Sequence, residues 1–495
     1  MPKMPFSLLR IAIVLAIALR VFLILLLGNL GPPDAFRASD SITYTSGAQS
    51  LASSGAYLDP QGKPEIFRTP GYPLTLAPFM ALHASDELIV AMNIVFAVLV
   101  VLVTWRIARQ LFADDRVAGI CALIVAIEPT MLIWSLKVMP ETLFTLCLLL
   151  FAYAAIREKP IAAGIALSAA IYVKPIAWPL VLIVPLVGVW FKPKRALNGL
   201  NVTFARSRSA GVSPAGSAAS PPPNGRLAQT WVTRDCGGVA GSAARTQPGP
   251  PARTPALRCV LTLFVTCIAL LAPWHIRNYM VAGYPGFSSL IDRSIYITAG
   301  GSVAARQEGV AFAEMRRQLI ARDDARAADP QRYAQMRREG VSRIASDPIG
   351  WAKTHVFGIF RTLFEPGVTE YARTFGLYTA NGGLSAMVDG GFAVFARAHP
   401  ILVAVSIAWA IVLLPLVLLP MIGSMRVPPD SRLAFGLFAL ITAWLVVAGG
   451  GVPGYHRFRV PAVPFLVLMS AFAYTARRCC SPSPPPARSP QPSES

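Results

Sequence analysis

Charge is scarce in this chain of 495 residues, and negative charge scarcest of all. Only 14% of residues are charged, with 25 Asp and Glu against 45 Lys and Arg. A soluble globular protein carries about 25% charged residues, so ordinary water-facing domains are excluded. Histidine is rare, with 5 copies, and cysteine numbers 7. Cys121, Cys147, Cys236, Cys259, Cys267, Cys479 and Cys480 show no metal-ligand spacing. None of them falls in a segment expected outside, so no disulfide framework is indicated either.

What is abundant is apolar. Hydrophobic residues make up 54% of the chain, and the mean hydropathy is +0.53. They gather in about ten long Leu/Val/Ile/Ala runs, and a helix needs about 20 apolar residues to cross a membrane. Only helices or closed barrels satisfy the backbone there, and these runs lack the two-residue alternation of a barrel. The expected fold is an all-α polytopic membrane protein, a bundle of about ten transmembrane helices with external loops. The net charge of +20 then calls for no nucleic-acid partner. Many of the Lys and Arg residues stand at the ends of runs, where the positive-inside rule collects them.

The first run, 8–27, follows Lys3 and carries Arg10 and Arg20. No small-residue cleavage site follows it, so it reads as a retained helix. With Lys3 and Arg10 inside, residues 28–86 lie outside. Runs at 88–105, 117–136, 141–156, 161–173 and 176–191 come next, the last two broken by Lys174-Pro175. Residues 193–257, rich in Gly, Ser, Ala and Pro, read as a disordered cytoplasmic linker. A run at 258–274 leads into a long external segment, 275–399, in which 351–364 suits a helix lying on the membrane surface. Runs at 401–422, 433–447 and 460–476 follow, with an external turn at 449–459. The expected division is an N-terminal transmembrane module with the first external loop (1–192), the linker (193–257), a C-terminal transmembrane module with the long external segment (258–476), and a disordered tail (477–495).

On this map the unusual polar residues fall on one side. Asp40, Arg68, Lys137, Glu141, Lys174, Arg277, His456, Arg457 and Arg459 all sit in external loops or at external ends of runs. Ionisable groups near membrane depth are costly and mark functional paths. Asp40 has a plain reading, as the negative complement of a helix N-terminus over the residues before Gly55. Its functional reading is a general base or a metal ligand beside a reacting hydroxyl, and its place ahead of the Phe67-Arg68-Thr69-Pro70-Gly71-Tyr72-Pro73 stretch favours that one. The cations suit a phosphate, which as a leaving group needs positive charge more than a proton. Each also has a plain reading, anchoring to lipid headgroups.

These pieces, in this order, resemble the GT-C glycosyltransferases of the protein mannosyltransferase and aminoarabinose transferase type. The pieces are the loop with Asp40, Tyr44, Gly55 and Tyr57; Arg68-Thr69-Pro70-Gly71-Tyr72-Pro73; Pro140-Glu141; Lys174-Pro175; Pro273-Trp274-His275-Ile276-Arg277-Asn278-Tyr279; and Arg457-Phe458-Arg459-Val460-Pro461. The resemblance covers most of the chain outside the linker and the tail. It implies a GT-C-like bundle in the cell membrane, an active site on the external side, and a polyprenyl-phosphate sugar donor among membrane lipids. It also implies an acidic catalytic residue in the first loop, which maps to Asp40. Many members carry Asp-Glu there, where this chain has Asp40-Ser41, so Glu141 is the candidate second carboxylate. Arg68, Lys174, Arg277, His456, Arg457 and Arg459 are the candidate donor-phosphate residues, and a divalent metal is left open as a cofactor. The activity expected is transfer of a sugar from the lipid phosphate to an envelope lipid, glycan or protein. The alternative is a transporter or flippase of a lipid-linked sugar, which should place its ionisable residues at the bilayer midplane on broken helices in paired halves. Here they crowd one face, Arg20 excepted.

Overall fold

The computed structural model describes residues 5–184, 255–326, 329, 331–376, 397, 400–452 and 454–479. Nearly all of them are helical or in tight turns, and the one β pairing among them is an isolated bridge between Leu58 and Pro64 in the first loop. The expected linker lies outside the described residues up to 254, as does the tail from 480 onward.

Six helices among the described residues are long and apolar enough to cross a membrane: Leu8–Leu30, Asp86–Phe112, Arg258–Ala282, Val403–Ser424, Pro429–Ala448 and His456–Thr475. A seventh span arises if Asp115–Ile127 and Pro129–Ser135 are joined across their 52° bend. Glu141–Ile156, Pro160–Val173 and Pro175–Val184 are shorter apolar helices. The chain is an all-helical integral membrane protein. Its last span is 78% buried in protein, against 11% for Val403–Ser424 and 17% for Arg258–Ala282. His456–Thr475 is therefore central, while the other two expose Leu, Ile and Val side chains.

Two departures from simple spans have local causes. Pro129 has no N–H to donate into the preceding helix, so the chain bends there, and the Glu128 carboxylate caps the new start by accepting from Met131 N at 2.7 Å. Arg20, the one cation expected inside the membrane, closes the same break. It donates to Ala126 O (3.1 Å), Ala16 O (3.0 Å) and Ser135 Oγ (2.8 Å). The helix around 258–274 runs on to Ala282, past the polar His275, Arg277 and Asn278. Those side chains reach backbone carbonyls of the first loop and of 285–287, so their polarity does not end the helix.

The segment expected outside has a small core of its own, built on Tyr296, Ile297, Met315, Leu319 and Met336. Its arginines are largely ion-paired. Arg337 meets Asp292 at 2.7 Å, and Arg293 and Arg332 meet Asp323 at 3.1 and 2.5 Å, both carboxylates being fully buried. This accounts for arginine in a segment where the positive-inside trend alone would not place it.

Candidate active site

The first loop builds the seat of its own arginine. Helix Ser41–Ser54 starts at Asp40 and ends at Gly55, whose φ of 68° is the left-handed conformation glycine adopts freely. The Asp40 side chain caps no backbone N–H of this helix. Thr43 and Tyr44 lie three and four residues on, hence on the same helical face. All three receive Arg68, which donates to Thr43 Oγ1 (2.9 Å) and to Tyr44 OH (3.1 Å) and pairs with Asp40 Oδ1 (3.2 Å). The loop is folded behind Arg68 by Glu65, whose Oε1 accepts from Phe67 N and Arg68 N, and by Tyr57 OH, which donates to Arg68 O. Gly71 then lets the chain lie on the end of Pro160–Val173. A Cβ at Gly71 would stand 2.6 Å from the Tyr172 carbonyl, too close for any other residue.

That contact brings in Lys174. As the residue before a proline it is extended (φ −144°, ψ 116°), and its Nζ lies 3.0 Å from Glu141 Oε1. Glu141 opens the Glu141–Ile156 helix and is fully buried. The third contribution comes from the 3₁₀ turn His456–Ala462 at the head of the last span. Arg457 donates through Nη1 to Asp40 Oδ2 (2.8 Å) and through Nε to Glu141 Oε1 (2.5 Å), with Tyr455 OH at 3.3 Å. One guanidinium thus bridges two carboxylates more than a hundred residues apart.

The structure therefore joins Asp40, Arg68, Glu141, Lys174 and Arg457 in one network. Asp40 is at the mouth, its side chain 38% exposed, and Glu141 is at the floor with Oε2 left without a hydrogen-bond partner. Burial raises the pKa of the Asp40 carboxyl, but the charges of Arg457 and Arg68, the Arg457 hydrogen bond and Lys174 outweigh it and bring it to about 2. Burial pushes the Tyr44 phenol up, so it stays protonated as a donor or acceptor. Three cations face two carboxylates, which leaves one positive charge over. Among the described residues no three His, Cys, Asp or Glu side chains gather as metal ligands, and both carboxylates here turn onto cations.

Three other candidates lie outside this network. Arg277 donates to Glu65 O (2.6 Å) and Tyr57 O (3.1 Å), fastening the first loop from behind. Arg459 donates to the carbonyls of Thr362, Leu363 and Glu365, at the end of helix Pro348–Phe364. His456 stands 3.4 Å from Glu365 Oε1. Lys137 pairs with Glu370 at 3.5 Å, and burial draws its pKa down to about 8 against the pull of Glu370. Thr43 and Tyr455 were not among the sequence candidates. Position alone hints at Thr43, one helical turn after Asp40; Tyr455 had only its neighbour Arg457 to suggest it.

A cavity of about 180 Å³ is lined by Trp178, Val181, Ile268, Leu271, Ala272, His275 and Ile276. One of its lining residues, Trp178, follows Lys174 by four positions.

Residues 67–202 match the family model of dolichyl-phosphate-mannose-protein mannosyltransferase. This is a GT-C membrane glycosyltransferase family. Over this segment the chain is similar to a family of glycosyltransferases that take a lipid-phosphate sugar as donor. The matched segment holds Arg68, Glu141 and Lys174, while Asp40 and Arg457 join the network from outside it. A search of curated proteins gives no significant match.

Proposed function

We propose that this glycosyltransferase moves a sugar from a polyprenyl-phosphate donor to an envelope lipid, glycan or protein, at a site on the external side of the cell membrane. Asp40 is the catalytic carboxylate, and Arg68, Lys174 and Arg457 hold the donor phosphate. The observation that carries this reading is the bridge from Arg457 to both Asp40 and Glu141, flanked by Arg68 and Lys174. The surplus positive charge suits a phosphodiester bearing one negative charge. As the bond between the anomeric carbon and the phosphate oxygen breaks, the leaving polyprenyl phosphate gains a second negative charge, which the same cations stabilise most in the transition state. The acceptor oxygen forms the new bond to that carbon and gives its proton to Asp40.

A carboxylate held at about 2 is a weak base at neutral pH. The donor phosphate competes for the very guanidinium groups that hold it there. Phosphate binding draws Arg68 and Arg457 away from Asp40 and raises its basicity at the moment an acceptor is needed. The free oxygen of Glu141 serves as an acceptor for a substrate hydroxyl, and the apolar cavity by Trp178 takes the isoprenoid chain. Arg277, Arg459 and His456 act through the backbone they fasten rather than on the phosphate.

The shorter apolar helices cross the membrane with the longer ones, for about ten spans in all, and the N-terminal module (1–192) and C-terminal module (258–476) both build the site. The test is turnover by the purified protein, in lipid, of a panel of polyprenyl-phosphate sugars. Donor cleavage by the wild type and its loss in Asp40→Asn support the reading. Cleavage that survives in Asp40→Asn overturns the assignment of the catalytic carboxylate, and absence of cleavage with every sugar overturns the donor.

A further inference from the structure

Helix Pro348–Phe364 is built the wrong way round for a water-facing helix. Its protein-facing side is small: Gly350, Gly358 and Thr362 are buried, with Thr354 between them donating to Gly350 O. Its open side is large and apolar. Ile349, Val356, Phe357 and Phe360 are 69, 50, 62 and 57% exposed. These positions are spaced by seven, one and three residues and form one helical face. Lys353, also exposed, lies on the same face.

The helix also runs across the ends of spans rather than alongside them. At its middle, Gly451 N donates to His355 O (3.2 Å), and His355 Nε2 lies 2.9 Å from Val447 O. Gly358 touches the same turn so closely that a Cβ there would overlap the Gly451 backbone. At its C-terminal end, Arg459 takes the Thr362, Leu363 and Glu365 carbonyls. Residues 355–365 of the helix thus rest on residues 447–459, where Pro429–Ala448 ends and His456–Thr475 begins.

We propose that Pro348–Phe364 is an interfacial helix whose Ile349, Val356, Phe357 and Phe360 face is embedded in the bilayer, at the boundary between acyl chains and headgroups. An apolar stripe at that depth removes its area from water by entering lipid. Lys353 reaches from the stripe to the headgroup phosphates by snorkelling. The helix also packs against Pro400–Ser424, whose spanning part is only 11% buried in protein, which favours the bilayer over a second protein as its occupant. Because the same helix ends in the grip of Arg459, two residues after Arg457, lipid contact steadies the turn that carries Arg457 into the site. The lipid contact itself stands independently of what that site does.

The experiment places a benzophenone-bearing residue at 357 or 360 of the full chain in phospholipid vesicles, with the exposed position 338 of the external segment as control. After irradiation, intact-mass analysis should show the added mass of a phospholipid at 357 and 360 and none at 338. A probe at 349 gives a second reading if either aromatic position fails to fold. A cross-linked pair of copies at 357 and 360, or a product pattern no different from that at 338, overturns the proposal.

Discussion

Arg457 offers the sharpest test of the network, because its two bonds run to different carboxylates. Arg457→Gln removes a charge-assisted bond to Asp40 at 2.8 Å and another to Glu141 at 2.5 Å. Lys174 remains on Glu141, so the floor keeps one partner, but the surplus positive charge of the site disappears. A hydrogen bond to a charged group contributes roughly 1.5–3 kcal/mol, so donor affinity should fall by about one to two orders of magnitude. Arg457→Lys keeps the charge and loses the fork, and one ammonium cannot replace the separate Nη1 and Nε contacts. Its affinity should lie between wild type and the Gln variant. Stability should fall as well, since breaking one partner of a buried ion pair costs about 3–5 kcal/mol. Pairing Arg457→Gln with Glu141→Gln should recover part of it, with a coupling of roughly 0.5–3 kcal/mol. Donor titration in nanodiscs of one lipid composition, beside thermal unfolding of the same samples, separates the two effects. Unchanged donor affinity in both variants would remove Arg457 from the donor site and leave it a structural bridge.

Asp40→Asn should abolish sugar transfer while the protein still inserts and folds, melting lower than the wild type because Arg68 and Arg457 lose a charged partner, as measured by turnover and thermal unfolding; near-normal turnover sinks its role. The Asp40 pKa is lowered in the folded state, so its stabilising contribution is present above the ordinary value of 3.8 and fades only as pH falls through about 2. Wild-type kcat/KM, which reports the free enzyme, should therefore show no Asp40 inflection above that range. In Arg68→Gln burial remains while one lowering charge is lost, so the acid limb of the rate profile should move to higher pH, and an unmoved limb argues against the pairing. Arg277→Gln should loosen the Tyr57–Glu65 loop, seen as faster amide exchange there, with a smaller loss of donor affinity than Arg457→Gln; the reverse order in the two titrations would return Arg277 to the phosphate.

Much of the fold was legible because membrane crossing depends on composition over a long window, which a single sequence displays. The long runs at 8–27, 88–105, 258–274, 401–422 and 433–447 each sit within a described helix. What composition hides is where a helix outlasts its apolar stretch. Residues 275–282 look like loop by polarity but stay helical, because Arg277 and Asn278 find carbonyls contributed by distant segments. The bend at Pro129 was equally concealed. A run at 117–136 reads as one span, and only the pairing of Glu128 with the chain beyond it, and of Arg20 with Ala126 O, shows how the break is sustained.

The site was legible as a set of residue types on one side, but not as a set of partners. Arg277, Arg457 and Arg459 look equivalent in sequence, each a cation at a span end. Their separation rests on rotation about a turn: on the 3₁₀ turn His456–Ala462, Arg457 and Arg459 point about 120° apart, since each residue advances about 120° and two steps rotate by about 240°. One faces Asp40 and Glu141, the other the carbonyls that end Pro348–Phe364. No periodicity in the chain fixes which of the two meets the carboxylates, because the answer depends on what the neighbouring helices offer. The carboxylates of Asp40 and Glu141 select one arginine, and the carbonyls at a helix end select the other. By the same logic Arg459→Gln, which removes the Nη1 that holds three carbonyls, should lower thermal stability while donor affinity of the folded protein changes less than in Arg457→Gln. Equal losses of affinity in the two variants would show that the pair acts on the donor together.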